Sequence, residues 1–392
     1  MKIIIERGRG LMFRTLIAGC FVAVSAQAYG QAAQAPARAG ATAPANAPAG
    51  PPLPPDQQAI YDRAVKPEMP LVSTQLLAAA CKEGKLTSLN LGISPAAELI
   101  NQEFMARFPC IKVDSVIAAS GQLIQRFEAE RARGSEPDIL QITNVGMMQQ
   151  MAEKGVFQTY TPTIADTVPS TSPGKWYPLA QISMTISYNS DRVTPAEAAK
   201  LKTWKDVLDP AFKDKSFGTV SPAAGGSALY GHYYMRHVVG SEFYKEFFST
   251  RKITVFSTSQ PAAEALASGQ VDILLPQAEN QSLVLWDKGA PIRLVYPAPL
   301  VQVPIGHAIP AKAKNPNAAK LYTEFVLSPT AQKLINGKNF LSPANTSVVD
   351  QRRVAKEAWW SFPKNQYSLN FIEMDKALKP MVDEFESLTK RK

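Results

Sequence analysis

From Ser73 to Gly155 the apolar positions switch repeatedly between two periods. The run STQLLAAACKEG spaces its apolar residues as one helix face does and ends at Gly84, a residue suited to the left-handed turn that closes a helix. KLTSLNLG is a short strand block, and SPAAELINQEFMARF then returns to the helical period, with Ser94 as its cap and Pro95 in its first turn. CIKVDSVIAA predicts a second strand, SGQLIQRFEAERARG a helix from Ser120 to Gly134, PDILQIT a third strand, and NVGMMQQMAEKG another helix. Strands that alternate with helices predict a mainly parallel sheet, which holds ligands at the carboxyl ends of its strands.

The same rhythm resumes further on. ISMTISYNS and SFGTVS read as strands around the short helical segment TWKDVLDPAFKDK, followed by the helices GGSALYGHYYMRHVVG and SEFYKEFFST. KITVF and VDILLP are strands separated by SQPAAEALASG, and PIRLVYP and VQVPIGHAIP lead to the helices NPNAAKLYTEFVLS and PTAQKLINGK. Two α/β lobes account for this better than one long sheet. The chain is expected to pass between them near residues 178–186 and again near 298–306.

The first 55 residues belong to neither lobe. Met1 to Ala28 has a basic start (Lys2, Arg7, Arg9, Arg14), the apolar stretch TLIAGCFVAVSA, and a small-x-small site at Ala26-Gln27-Ala28. That is the layout of an export signal, with the remaining chain starting at Tyr29 and destined for the periplasm. Met12 offers a tidier start for the same signal. Cys20 in LIAGC resembles a lipidation site, but the apolar run continues past it. Residues 29–55 are almost all Ala, Pro, Gly and Gln, a composition that cannot bury enough apolar surface to order itself, and they read as a spacer.

Charge and cysteine count narrow the chemistry. The net charge is +9, of which the signal carries +3, leaving a mild +6 with no dense basic run. Nucleic acid is therefore not expected as a partner. With Cys20 removed, Cys81 and Cys110 form an even pair in an oxidising compartment, and a disulfide is expected between them.

Four segments carry a resemblance over about residues 72–348: KEGKLTSLNLGISPAAELINQEFMARFPCIKV, SGQLIQRFEAERARGSEPDIL, KTWKDVLDPAFKDKSFGTVSPAAGGSA and NPNAAKLYTEFVLSPTAQKLI. In order and spacing they resemble the extracellular solute-binding proteins of ATP-driven importers, in the group that contains periplasmic ferric-iron binders. The resemblance implies a type II periplasmic-binding fold with a cleft between two lobes, here 72–180 with 305–392 and 181–304. It further implies a monomer that captures a small-molecule solute, without a cofactor or catalysis, and delivers it to an ABC permease and its ATPase.

The iron ligands of that group are missing at the matching places. Its paired tyrosines would follow VDILLP, where Gln277 to Asn280 stand; its histidine would fall in GISPAA and its glutamate in TNVG. Hard ferric iron needs phenolate and carboxylate oxygens. Tyr233 and Tyr234 do not replace them, because adjacent helical residues point about 100° apart, and they are expected to pack. A polyamine binder would want several acids and aromatics, of which Glu279, Tyr177 and Trp176 supply few. A hydrolase elbow, Gly-x-Ser-x-Gly, is begun by Gly225 and Ser227 but broken by Leu229.

What remains is a set of strand-to-helix turns. Ser94, Ser120 with Gly121, Asn144, and Gly225 to Ser227 each open a helix, and in the layout of the resembled family they face one cleft. Free first-turn amides there suit an anionic or strongly polar organic solute. Tyr177 and Gln181 stand at the first crossover as hinge candidates. Gln277 and Glu279 follow a second-lobe strand, where the family's ligand residues lie.

Overall fold

The computed structural model describes residues 52–390, apart from 70, 93–96, 171, 351, 362–365 and 368. The expected signal, most of the spacer and Ser94 lie outside the described residues.

After α1 (Pro55–Ile60), the first lobe is built from α2 (Thr74–Glu83), β1 (Lys85–Leu91), α3 (Ala97–Arg107), β2 (Lys112–Ala118), α4 (Ser120–Ala132), β3 (Ile139–Ile142) and α5 (Val145–Glu153). Local signals set these bounds. Ser73 caps α2 by accepting from the Leu76 amide, and Gly84 ends it at φ 72°, a value only glycine adopts freely. β3 and the second half of β1 are buried on both faces, with the polar Ser88, Asn90 and Gln141 enclosed among their apolar residues. β1 runs parallel to both β2 and β3.

The long strand β4 (Tyr177–Asn189) joins the lobes. Its residues from Tyr177 to Ser183 pair antiparallel with β9 (Leu300–Ala308), while Met184 to Tyr188 pair with β7 (Ile273–Ala278). The second lobe continues with α6 (Pro195–Ala198), β5 (Ser216–Val220), α7 (Gly226–Tyr234), α8 (Ser241–Thr250), β6 (Lys252–Phe256), α9 (Ser259–Ala267) and β7, then α10 (Glu279–Asp287) and β8 (Ile292–Val295). Strand order through both lobes is β2-β1-β3-β9-β4-β7-β5-β6. The two central strands β9 and β4 are thus shared, and each lobe's parallel strands flank them.

Cys81 on α2 and Cys110 ahead of β2 are bonded, with Cα atoms 5.1 Å apart. Parallel β1 and β2 bring their starting ends together, and the bond spans a sequence separation of 29. A loop of that size restricts the unfolded chain by roughly 3.5 kcal/mol on the chain-entropy estimate.

The chain end departs from the expected layout. α11 (Pro316–Leu327) and α12 (Pro329–Asn339) pack on the first lobe, and β10 (Ser342–Pro343) pairs with β4. After β11 (Gln366–Tyr367), α13 (Phe371–Lys376) lies against both α5 of the first lobe and α7 of the second, and α14 (Leu378–Thr389) packs on the second lobe, although 305–392 reads as first-lobe sequence. Burial explains the crossing. Phe385 of α14 inserts among His232 and Phe248, Glu384 pairs with Arg236 at 2.8 Å, and Tyr230 of α7 donates to Asp375 of α13 at 2.9 Å.

Candidate functional site

A cavity of about 580 Å³ opens between the lobes at the carboxyl ends of their strands. Four helix starts border it: α4 through Ala119 and Ser120, α7 through Gly225 and Ser227, α9 through Thr258 and Ser259, and α10 through Ala278 and Asn280. None of these four helices has a capping side chain on its N-cap residue. An uncapped first turn leaves amide N–H groups unsatisfied by the helix itself and carries the positive end of the helix dipole. Among the described residues that line the cavity, none is ionisable. Gln122, Thr143, Gln260 and Gln281 add neutral polar groups, and Leu91, Ile117, Ile182 and Val220 form aliphatic wall.

Gly225 and Gly226 set how closely the lobes meet. Both have positive φ, 71° and 52°, in the region where a side chain is strained. A Cβ at Gly226 would overlap Thr143 Oγ1 of the first lobe and lie 3.2 Å from its Cβ. The chain reaches this turn through a short 3₁₀ segment, Pro222–Ala224, which Ser221 caps by accepting from the Ala223 amide. SPAAGG therefore holds two successive starts, and α7 begins only at Gly226.

The other candidates occupy varied places. Ser120 lines the cavity, but it is the first residue of α4 and not its cap. Its hydroxyl accepts from the Thr143 amide at 3.0 Å, fastening α4 to the end of β3. Gly121 is exposed and lies outside the cavity lining, with open space where a Cβ would stand. Asn144 is buried against Gly225 and Gly226 across the lobe contact. The start of α5 behind Asn144 is already covered, since a Cβ at Gly146 would overlap the Asp375 carboxylate and the Phe371 carbonyl. Burial raises the Asp375 pKa, opposed by the Tyr230 hydroxyl and the Met147 amide. The helix start expected at Asn144 is thus filled by the chain's own carboxylate.

Tyr177 is buried away from the cleft, its hydroxyl accepting from the Gly174 amide at 3.0 Å. Gln181 pairs along β4 with Pro304 and Ser342, outside the cavity lining. Gln277 is buried behind the wall and donates to the Ser259 carbonyl at 3.3 Å. Glu279 is also buried, in an ion pair with Arg352 at 3.0 Å, and accepts from the Ser183 amide and the Tyr296 hydroxyl. Gln277 lies within β7, which runs on to Ala278, and Glu279 follows directly, so both side chains lie inside the wall. The start of α9 at Thr258–Gln260 is not among the expected sites, and at the start of α10 the expected Glu279 is buried while its neighbours Asn280 and Gln281 line the cavity. The strand-to-helix rule that found Gly225 applies equally to VFSTSQPAAE.

The paired tyrosines pack. Tyr234 is buried beside Trp204 and Tyr367, and Tyr233 stacks on His237 with ring centroids 4.1 Å apart. His232 is fully enclosed, with Nδ1 2.8 Å from the Tyr244 hydroxyl and Nε2 2.8 Å from the Val220 carbonyl. Among the described residues no three His, Cys, Asp or Glu side chains group as around a metal ion, and no helix is long and apolar enough to cross a membrane.

Several solved structures share this architecture. The ferric binding protein from Campylobacter jejuni superposes with a TM-score of 0.63 at 17% identity, covering 77% of this chain and 99% of its own. Iron-bound HitA from Pseudomonas aeruginosa gives 0.61 at 20% identity, with coverage of 78% and 98%. The periplasmic binding protein AfuA from Actinobacillus pleuropneumoniae, with fructose-6-phosphate bound, gives 0.65 at 17% identity, with coverage of 78% and 99%. These likenesses show the fold, a two-lobed type II periplasmic-binding architecture. No curated protein matches the sequence. A family model described as bacterial extracellular solute-binding protein matches residues 90–340, which is more than half of the chain. The chain belongs to the family of bacterial extracellular solute-binding proteins.

Proposed function

We propose that this protein captures a small anionic organic solute in the cleft between its lobes and delivers it to an ABC permease at the inner membrane. One observation carries the reading: four uncapped helix starts meet in a cavity with no ionisable lining residue among those described. Such a cavity offers backbone N–H donors and positive dipole ends and no anionic side chain to balance a bare cation. Each helix end favours an anion by about 0.3–1 kcal/mol, so four acting together discriminate usefully. The volume of about 580 Å³ leaves room for an organic body beyond the acidic group. The sugar phosphate held by AfuA belongs to that solute class. HitA carries iron, but the cavity lining here supplies no carboxylate or phenolate. A protein acting this way binds reversibly and turns nothing over.

A thermal-shift screen of the exported chain tests this. Phosphorylated, phosphonate and carboxylate compounds should include at least one that raises the melting temperature, while ferric citrate and spermidine should not. Saturation at a hundred times Kd corresponds to about 2.7 kcal/mol of added stability. Tyr233→Phe should leave that shift unchanged. A shift produced by iron and abolished by Tyr233→Phe would overturn the reading.

A further inference from the structure

One ion pair is built into the wall of the cleft. Glu279 is the first residue of α10, followed by the cavity-lining Asn280 and Gln281. Its carboxylate is fully buried, with Oε1 3.1 Å from the amide of Ser183, the neighbour of cavity-lining Ile182. A bare carboxylate there would cancel the dipole of α10 and repel an anion in the cavity. Arg352 prevents this. Its side chain is fully buried, it donates to Glu279 Oε2 at 3.0 Å and to the Phe340 carbonyl at 2.9 Å, and its other nitrogens pair with Asp350. Arg352 lies beyond residue 340, where the family match ends.

We infer that Arg352 is a specificity-determining residue, which never touches the solute but neutralises Glu279 so that the α10 end of the cleft accepts an anion. The inference rests on the anion reading above. It goes further by assigning the sign of the cleft's potential to one buried pair. Packing alone would make both losses costly, because Arg352→Met leaves the buried Glu279 without its counter-charge and Glu279→Gln leaves Arg352 with Asp350 as its remaining partner. Electrostatic control makes them opposite.

Three variants separate these cases, each titrated with the anion that gives the largest thermal shift and with spermidine. Glu279→Gln removes one negative charge from the cleft wall while Asp350 still pairs with Arg352, and should tighten the anion on the order of tenfold, the effect of one charge several ångströms away at intermediate dielectric. Arg352→Met should weaken it by a similar factor and admit spermidine. The double variant Glu279→Gln/Arg352→Met should return close to the wild-type affinity, and it keeps the test valid if Arg352→Met alone fails to fold. Affinities that fall in both single variants, or stay unchanged in Glu279→Gln, would overturn the inference while leaving the anion reading intact. Wild-type protein that binds no anion would overturn both.

Discussion

Replacing Gly226 with alanine should weaken solute binding by about 100-fold, or about 2.7 kcal/mol, while the folded protein survives. The added Cβ meets Thr143 Oγ1, an atom of the opposite lobe, so the overlap exists only while the lobes are together. Opening the cleft relieves it, and the cost therefore falls on closure. A smaller part, about 1 kcal/mol, comes from forcing a side chain to φ 52° and acts on stability. Two controls divide these parts. Gly225→Ala shares the positive φ of 71° but places its Cβ 3.5 Å from Asn144, an ordinary contact, and should lose less affinity. Thr143→Ala in the Gly226→Ala background removes the overlapping oxygen and should restore part of the binding. Titration calorimetry reads all of these. Wild-type affinity in Gly226→Ala would show that the lobes do not meet through this turn when solute is held.

The second large effect is a loss of stability in mild acid. Burial lowers the pKa of His232 to about 4, opposed by the hydrogen bond its ring donates to the Val220 carbonyl. Burial alone lowers that of His307 to about 3. His307 is held neutral between Gln141 at 3.2 Å and Thr323 at 2.9 Å. Both folded values lie below the ordinary 6.5, so the unfolded chain binds protons first as pH falls. Stability is complete above pH 6.5 and drains as pH falls toward 4 and then 3. Each histidine contributes up to about 1.4 kcal/mol per pH unit in that window, or roughly 4 kcal/mol for the pair at pH 5. Urea midpoints measured from pH 7.5 to 5 should decline steeply. A His307→Gln variant should show about half the slope. A flat profile in the wild type would mean that the two rings are not enclosed as described.

The alternation of helix and strand was legible because punctuation accompanied it: Ser73 and Gly84 bound α2, and two glycines announce α7. The Cys81–Cys110 bond followed from an even pair at the starts of adjacent parallel strands. Long-range choices were not legible. The amphipathic stretch from Phe371 to Thr389 has an apolar face, but nothing local says which lobe that face will cover. Asp375 reaches the start of α5 across more than 220 residues of chain, and Arg352 meets Glu279 across 73. A residue's place after a strand was also an imperfect guide. Gly225 and Ser227 reach the cavity, whereas Gln277, within β7, and Glu279, directly after it, are buried. Their polar side chains are satisfied inside the wall, and a sequence shows the polar atom without showing its partner.

The central claim is that backbone amides at converging helix starts grip an acidic group. A crystal structure of the protein with the solute selected by thermal shift tests it most directly. The account predicts the acidic oxygens about 2.7–3.2 Å from main-chain nitrogens at two or more of the starts of α4, α7, α9 and α10, with no Lys or Arg side chain in contact. A solute held by side-chain charges, or a metal ion coordinated by Tyr233 or Tyr234, would contradict it.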